Sequence, residues 1–215
     1  MQNAMTWLNE IKKENRNSPF SSSEIKINSF SDLITSYVSL RNDENKVSME
    51  ALYFLLMGNA LVFLQMLSEG KPLRGGIDIG MGIKHSGDEI YGTALSNAYY
   101  LESMVSKSIR VIIGRTLYEY IHNLASESVQ SNTPKDYNIY WAKESLTLIK
   151  KDSDGEYILD YLSEKIQKME DFATHYKNAK FFIELKMKEF TLLQEEKEYK
   201  KYESTLKYFE NYKSS

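Results

Sequence analysis

Residues 73–114 read LRGGIDIGMGIKHSGDEIYGTALSNAYYLESMVSKSIRVIIG, and this stretch decides the fold of the chain. Eight of the ten glycines lie between Gly70 and Gly114, where backbone must pass close to other atoms. The pattern predicts, in order, a strand over Arg74 to Ile83, a turn over His85 to Asp88, a helix over Thr93 to Val105 and a short buried strand over Ile109 to Ile113. Taken alone, this order fits any α/β unit whose glycines serve turns.

The same residues resemble the second half of the class III (adenylate/guanylate) nucleotide cyclase homology domain. The matching residues are Arg74, Gly75, Gly76, Ile77 and Gly80, then Glu89, Ile90, Tyr91 and Gly92, then Leu95, Ala98, Leu101, Glu102 and Ser103. The variant RGGI with GxAL, AYxLE and SIRVIIG looks most like the pyrimidine cyclases of the Pycsar type in bacterial antiphage defence. The resemblance implies a nucleoside triphosphate substrate such as UTP or CTP, a 3′,5′-cyclic nucleotide product and a site shared between the two subunits of a homodimer.

Two positions depart from the family pattern. The family commonly places an Asn and an Arg on the helix, where they touch the ribose and the triphosphate, and this chain has Ser96 and Tyr100 there. Neither side chain supplies a guanidinium fork to a phosphate. The resemblance also assigns nucleotide binding to Arg74 and to a base-reading pair, Asn28 and Glu89, for which a strand residue and a loop acid are the plain structural alternatives.

The alternation of Ile25 to Leu40 predicts a β-hairpin with a polar apex at Ser29 to Asp32. In the cyclase family the aspartate at this turn is one ligand of a two-metal site for Mg²⁺ or Mn²⁺, and Asp32 occupies that place; an ordinary turn residue is the alternative. The family's other metal aspartate lies in an F-x-D-x-x-G-F motif, which this chain lacks before Asp32. Either the recorded start is internal to a longer reading frame, or the protein is a degenerate cyclase, or Asp78 substitutes.

Ser48 to Leu67 is apolar on almost every face and predicts a helix packed on a sheet, because a membrane span needs about 20 apolar residues and polar ones interrupt this run. With this helix, the order of elements indicates an α/β (α+β) protein with a ferredoxin-like βαββαβ cyclase core that lacks its first strand. We expect the core at 1–115 and a mainly helical extension at 116–215.

The extension has two notable stretches. Asp152, Asp154 and Gly155 imitate the start of a calcium loop, but Ser163 stands at position twelve, so we interpret KKDSDGEYILDYL as a turn before a helix. Cyclase-like defence proteins carry a similar D-x-DG-x-Y-x-x-D-Y stretch. Ser163 to Tyr212 predicts two long helices, which either clasp the core as an antiparallel pair or form a dimerisation arm.

Composition bounds the function. The net charge of -3 over 215 residues gives no general attraction to nucleic acid, and the lack of cysteine excludes disulfides and thiolate chemistry. The first residues do not look like a signal peptide, so we expect a cytoplasmic protein with no membrane contact. Two function classes remain: an active nucleotide cyclase, and an inactive pseudocyclase that serves as a nucleotide-binding or scaffold subunit.

Overall fold

A computed structural model of the chain describes residues 13, 25–30, 33–40, 48–84, 90–128 and 134–212. The strands are β1 (Lys26–Phe30), β2 (Leu33–Tyr37), β3 (Gly75–Ile77), β4 (Ile83–Lys84), β5 (Ile90–Tyr91), β6 (Val111–Ile113), β7 (Ile149–Lys151) and β8 (Tyr157–Leu159). The helices are α1 (Met49–Ser68), α2 (Thr93–Tyr100), α3 (Arg115–Ala125), α4 (Pro134–Leu146), α5 (Glu164–Gln167), α6 (Phe172–Leu193) and α7 (Glu196–Glu210), with a π-helical segment at Leu101–Val105 directly after α2.

The protein is mixed α/β, with 59% helix and 14% strand. Its largest sheet has the order β3-β6-β8-β7. Strand β3 runs parallel to β6, whereas β8 is antiparallel to both of its neighbours. The hairpin β1–β2 and the short ribbon β4–β5 form two further two-stranded sheets.

Helix α1 is the centre of the core. Its buried residues include Leu56 and Phe63, and it packs against α4 and α6 while β6 and β8 contribute to the same apolar cluster. By length and composition α1 could cross a membrane, but 72% of its apolar window is buried inside the protein. This burial is that of a core helix, as the sequence predicts, but the main partners of α1 are the helices α4 and α6 and not a sheet.

The strand predicted over Arg74 to Ile83 is shorter in the structure. Only Gly75–Ile77 pairs with β6, and the chain then leaves the sheet before β4 begins at Ile83. The departure follows Asp78, whose side-chain Oδ1 accepts a hydrogen bond from the next backbone N–H, of Ile79, at 2.9 Å. A side chain that binds the backbone locally in this way competes with ladder hydrogen bonds.

The interpretation of residues 150–162 as a turn before a helix is wrong. These residues contain most of a β-hairpin, β7–β8, in which β8 pairs with β6 and completes the largest sheet. The sheet and the apolar core therefore continue across residue 115, the boundary expected between a core and an extension. The two long helices predicted beyond Ser163 are confirmed as α6 and α7, which pack on each other and, through α6, on α1.

Candidate functional site

The glycines of the RGGI segment allow α2 to lie directly on β3. A Cβ added at Gly76 would lie 2.3 Å from the Ala98 carbonyl oxygen and 2.6 Å from Leu101 Cβ. Both distances are far below van der Waals contact, so residue 76 has room for hydrogen alone. The resemblance of this segment to a cyclase strand thus coincides with a physical need for glycine.

A second close approach fixes the N-terminus of α2. Gly92 has φ +130°, and a Cβ there would lie 2.3 Å from the Met81 carbonyl oxygen. The Met81 backbone is held on both sides, because its N–H donates to Thr93 Oγ1 at 2.9 Å and its carbonyl accepts from Ala94 N–H at 3.3 Å. The loop after β3 is therefore fastened to the first turn of α2.

Asp78 lies at the end of β3, and its carboxylate faces the start of α3. Oδ1 accepts hydrogen bonds from the backbone N–H of Ile79 at 2.9 Å and of Leu117 at 3.3 Å. The opening of α3 leaves room only for glycine, since a Cβ at Gly114 would lie 2.2 Å from the Asp78 carboxyl carbon. The positive end of a helix favours an anion over a cation, so these contacts of Asp78 are those of a helix cap.

Arg74 stands before β3 and is bound within the protein. Its guanidinium forms an ion pair with Glu102 of the π-helical segment at 2.9 Å and donates to the Ser106 carbonyl at 3.4 Å. The Arg74 side chain is still 44% exposed, so the pair is worth on the order of 1 kcal/mol or less. Its evident role is to hold the end of α2 and the π-helical segment to β3.

Ser96 and Tyr100 lie one helical turn apart on the outer side of α2, and both are exposed. The Ser96 hydroxyl donates to the Gly92 carbonyl, and the Tyr100 ring is 58% exposed. Within the described residues, no hydrogen bond or ion pair joins Arg74, Asp78, Ser96 or Tyr100 to another of the four. Ser96 and Tyr100 therefore lie on one exposed surface, whereas Arg74 and Asp78 bind other groups within the protein.

Around Ser96 and Tyr100 lies a surface that we name the α2 surface. It consists of exposed uncharged residues of α2, the π-helical segment, the β4–β5 ribbon and the loop before β4: Met81, Ile83, Tyr91, Thr93, Ser96, Tyr99, Tyr100 and Met104. Helix α2 has no fully buried residue. The apolar residues spaced along 93–105 thus divide between contact with β3 and this open surface. Tyrosine and methionine are typical of protein contact surfaces, whereas charged residues are depleted there.

The remaining expected residues belong to the hairpin and the ribbon. Asn28 lies half-buried on β1 opposite Thr35, whose hydroxyl donates to the Asn28 carbonyl at 3.4 Å. The hairpin packs on α1, where Ile27 and Ile77 contact the same cluster around Leu55. Asp32 and Glu89 lie outside the described residues, so the metal aspartate and one half of the base-reading pair stay predictions.

The calcium-like stretch has a structural partner. Arg110, only 9% exposed, donates to the carboxylates of Asp152 and Asp154, the latter at 2.6 Å. Hydrogen bonding to this guanidinium lowers the pKa of Asp154, and the positive charge of Arg110 opposes a second cation at the same two carboxylates. Among the described residues there is no group of three or more His, Asp or Glu arranged to hold a metal ion.

Sequence reasoning missed the capping role of Asp78, the pairing of Arg74 with Glu102 and the α2 surface. One signal was present: from Ile90 to Val105 the only charged residue is Glu102, in a chain with 27% charged residues. A nearly uncharged run that includes a helix indicates either a core element or a contact surface.

In comparisons with known proteins, the chain matches no family model, no curated protein and no solved structure.

Proposed function

We propose that the chain is a nucleotide cyclase-like protein that binds a nucleoside triphosphate and makes little or no cyclic product, and so serves as a nucleotide-binding or scaffold subunit. The observation that carries this proposal is the environment of Asp78. The candidate to replace the missing metal aspartate caps a helix, where a cation is disfavoured.

The cyclase-like part of the proposal rests on the order of elements. A hairpin, the helix α1 and the strand β3 follow one another in the order of a ferredoxin-like βαββαβ core without its first strand, and the helix α2 and the strand β6 would be the cyclase additions to that core. The close contact of α2 with β3, which requires glycine, supports the comparison of this segment with a cyclase strand, whereas among the described strands the hairpin β1–β2 forms a sheet of its own and does not pair with β3. Residues 134–212, with β7, β8 and the long helices, would then be the elaboration of the fold.

The expected homodimer would use the α2 surface. Cyclase sites form between two such domains, so the Asp32 turn of one subunit would face Ser96 and Tyr100 of the other. Six large apolar side chains on this surface are 55–77% exposed. Their exposure to water is unfavourable in the isolated chain, and burial in a dimer would remove this unfavourable free energy. Tyr100 would contribute contact area there, in place of the charge that the family's arginine supplies.

An active cyclase is the second candidate, and the hairpin favours it. Phe30 and Leu33 are paired across β1 and β2, so Asp32 belongs to the connection where the family carries a metal aspartate. UTP or CTP would be the substrate and cyclic UMP or cyclic CMP the product, with Mg²⁺ or Mn²⁺ as the cofactor. Such a protein would act in the cytoplasm as a source of an antiphage signal.

One experiment separates the two candidates. Purified protein is incubated with ATP, GTP, CTP or UTP and Mn²⁺, and cyclic monophosphate is measured together with the shift of the melting temperature by each nucleotide. We expect stabilisation by at least one nucleotide without appreciable product. Rapid formation of any cyclic monophosphate would establish the active cyclase, and the absence of both product and stabilisation would refute nucleotide binding altogether.

Asp32 is tested by Asp32→Ala. If Asp32 holds a metal, the variant loses metal-dependent nucleotide stabilisation while its melting temperature without nucleotide is unchanged, because a turn aspartate contributes little to stability. If nucleotide with Mn²⁺ stabilised the variant as much as wild type, Asp32 would not be a metal ligand but an ordinary turn residue.

A further inference from the structure

Helix α6 has a second apolar stripe that faces away from the core. Its inner side carries the buried Ala179 and Ile183. On its outer side Phe181 is 66%, Leu185 51% and Leu192 84% exposed. The spacing of four and seven residues places the three side chains on one face, over roughly 16 Å of helix.

The stripe follows a coiled-coil seam. Residues 178, 181, 185, 188 and 192 alternate in steps of three and four, the spacing of core positions in a two-helix pair. These five are Asn178, Phe181, Leu185, Lys188 and Leu192, and all five are exposed. An open seam of this length is unusual for a helix whose other side is already packed on α1 and α7.

The charges beside the seam match an antiparallel copy of the same helix. A two-fold axis near residues 186 and 187 would place Phe181 opposite Leu192 of the second copy and Leu185 against the aliphatic stem of Lys188. Positions that flank the seam on the same side then face each other, so Glu184 would lie beside Thr191 of the second copy and no like charges meet there. Lys177 would meet the acidic turn that carries Glu195 and Glu196.

We propose that the outer face of α6, namely Asn178, Phe181, Leu185, Lys188 and Leu192, is an interface between two copies of this chain, paired antiparallel about a two-fold axis. A parallel pair lacks this match, because Glu184 would then stand beside Glu189 of the second copy at the positions that flank the seam. The interface is isologous, so each favourable contact occurs twice.

This inference does not depend on the proposed nucleotide function. The α6 interface and the α2 surface belong to different elements, and one can exist without the other. If both interfaces form, each with its own two-fold axis, the chain assembles beyond a dimer. If only the α6 interface forms, the dimer has an apparent mass of twice 25.0 kDa and Tyr99 and Tyr100 remain exposed.

The test measures mass by light scattering over a wide range of protein concentration for the full chain and its variants. Leu185→Glu puts two carboxylates into the centre of the seam, and we expect it to weaken the α6 dimer at least ten-fold. Met81→Glu is the matched control, since Met81 is 77% exposed on the α2 surface. It should leave the α6 dimer intact, with circular dichroism confirming that both variants are folded.

Charge exchange gives a second readout that unfolding cannot imitate. Lys177→Glu and Glu195→Lys should each weaken the dimer, because each places like charges together across the interface twice. The double variant with both changes should recover most of the lost affinity, because the pair is restored with reversed sign. Failure of the double variant to recover would refute the antiparallel register.

Other results would overturn the proposal itself. A wild-type chain that remains monomeric at high concentration would exclude the interface, and flotation of that monomer with anionic lipid vesicles would assign the face to a membrane surface. A dimer that Met81→Glu dissociates and Leu185→Glu does not would be the dimer of the α2 surface, not of α6.

Discussion

The carboxylate of Asp78 and the backbone N–H of Leu117 are hydrogen-bonded at 3.3 Å, although 39 positions separate them in the chain. The first N–H groups of a helix lack partners within the helix, and a side chain at the N-cap usually accepts from one of them. Here the N-cap is Gly114, which has no side chain to offer. Asp78 provides the acceptor from the end of β3 and so couples the strand to the helix.

Removal of this acceptor should lower stability. We expect Asp78→Ala to reduce the free energy of unfolding by about 0.5–2 kcal/mol, the usual cost of a lost helix cap. Asp78→Asn should lose less, because the amide oxygen can still accept from Leu117. Urea denaturation followed by circular dichroism measures both variants.

A ligand role for Asp78 gives a different result. If Asp78 held a metal, Asp78→Asn would leave stability unchanged in the absence of metal and nucleotide, and would abolish the stabilisation that Mn²⁺ and nucleotide confer together. That pattern would contradict the capping role.

The seat of α2 on β3 predicts unequal effects at two neighbouring glycines. Gly76→Ala forces a methyl group to within 2.3 Å of the Ala98 carbonyl, so α2 must move, and we expect a loss of about 1–3 kcal/mol. In Gly75→Ala the nearest atoms are Val111 methyl carbons at 3.2 and 3.3 Å, which can shift slightly. Thermal unfolding of the two variants checks the difference, and equal losses would contradict the close approach of α2.

The Arg110 pair with the β7–β8 turn predicts a pH dependence. Hydrogen bonding to Arg110 lowers the pKa of Asp154 below its ordinary 3.8. The ionised carboxylate therefore favours the folded state above that value, and this contribution is lost as the pH falls through the lower pKa of the folded protein. Asp154→Asn should consequently be less stable than wild type at neutral pH, and the difference should shrink toward pH values below 3.8.

Other carboxylates titrate in the same range, so the measured quantity is the difference between Asp154→Asn and wild type at each pH. Ser153→Ala, at an exposed position in the same turn, is the control for a local change without a lost charge. If the difference in the free energy of unfolding between Asp154→Asn and wild type did not change with pH, the ion pair of Asp154 with Arg110 would not stabilise the folded state.

The sequence predicts correctly those elements whose residue pattern fits only one kind of structure. The run around Leu56 and Phe63 is too apolar for any place but a core, and the alternation of β1 and β2 admits only a hairpin. Helix α2 was predicted in position, but periodicity alone does not distinguish a side that packs on β3 from a side that is left open.

The strands β7 and β8 were missed for a different reason. Each is three residues long, too short to show a clear alternation, and β8 also pairs with β6, about 45 residues earlier, while Arg110 holds the turn between β7 and β8. Window-based patterns do not carry such distant partners. The capping role of Asp78 was missed for the same reason, because Leu117 is 39 positions away in the sequence and comes close to Asp78 only in the folded protein.

Helix α7 is attached to the core by a half-buried tyrosine. Tyr208 on α7 donates its hydroxyl hydrogen to the Asp160 carboxylate and accepts from the Leu162 N–H at 3.1 Å. Burial raises the pKa of Tyr208 well above 10.0, and the charge of Asp160 adds to this, so the hydroxyl remains a donor throughout the neutral range. Asp160 and Tyr161 belong to the D-x-DG-x-Y-x-x-D-Y stretch, which thereby acquires a structural role.

Tyr208→Phe keeps the ring against Tyr161, where the centroids are 4.8 Å apart, and removes only the hydroxyl group. The Asp160 carboxylate then loses its donor in a poorly hydrated place, so we expect a loss of about 1–3 kcal/mol in the free energy of unfolding. The loss should be local as well, with faster hydrogen exchange of the α7 amides than of those in α1, because α7 opens first. Tyr99→Phe, at a ring that is 66% exposed, should change stability by less than about 0.5 kcal/mol and serves as the control. Equal stability of the Tyr208→Phe variant and wild type would show that α7 is held by its apolar contacts alone, chiefly those of the fully buried Phe209.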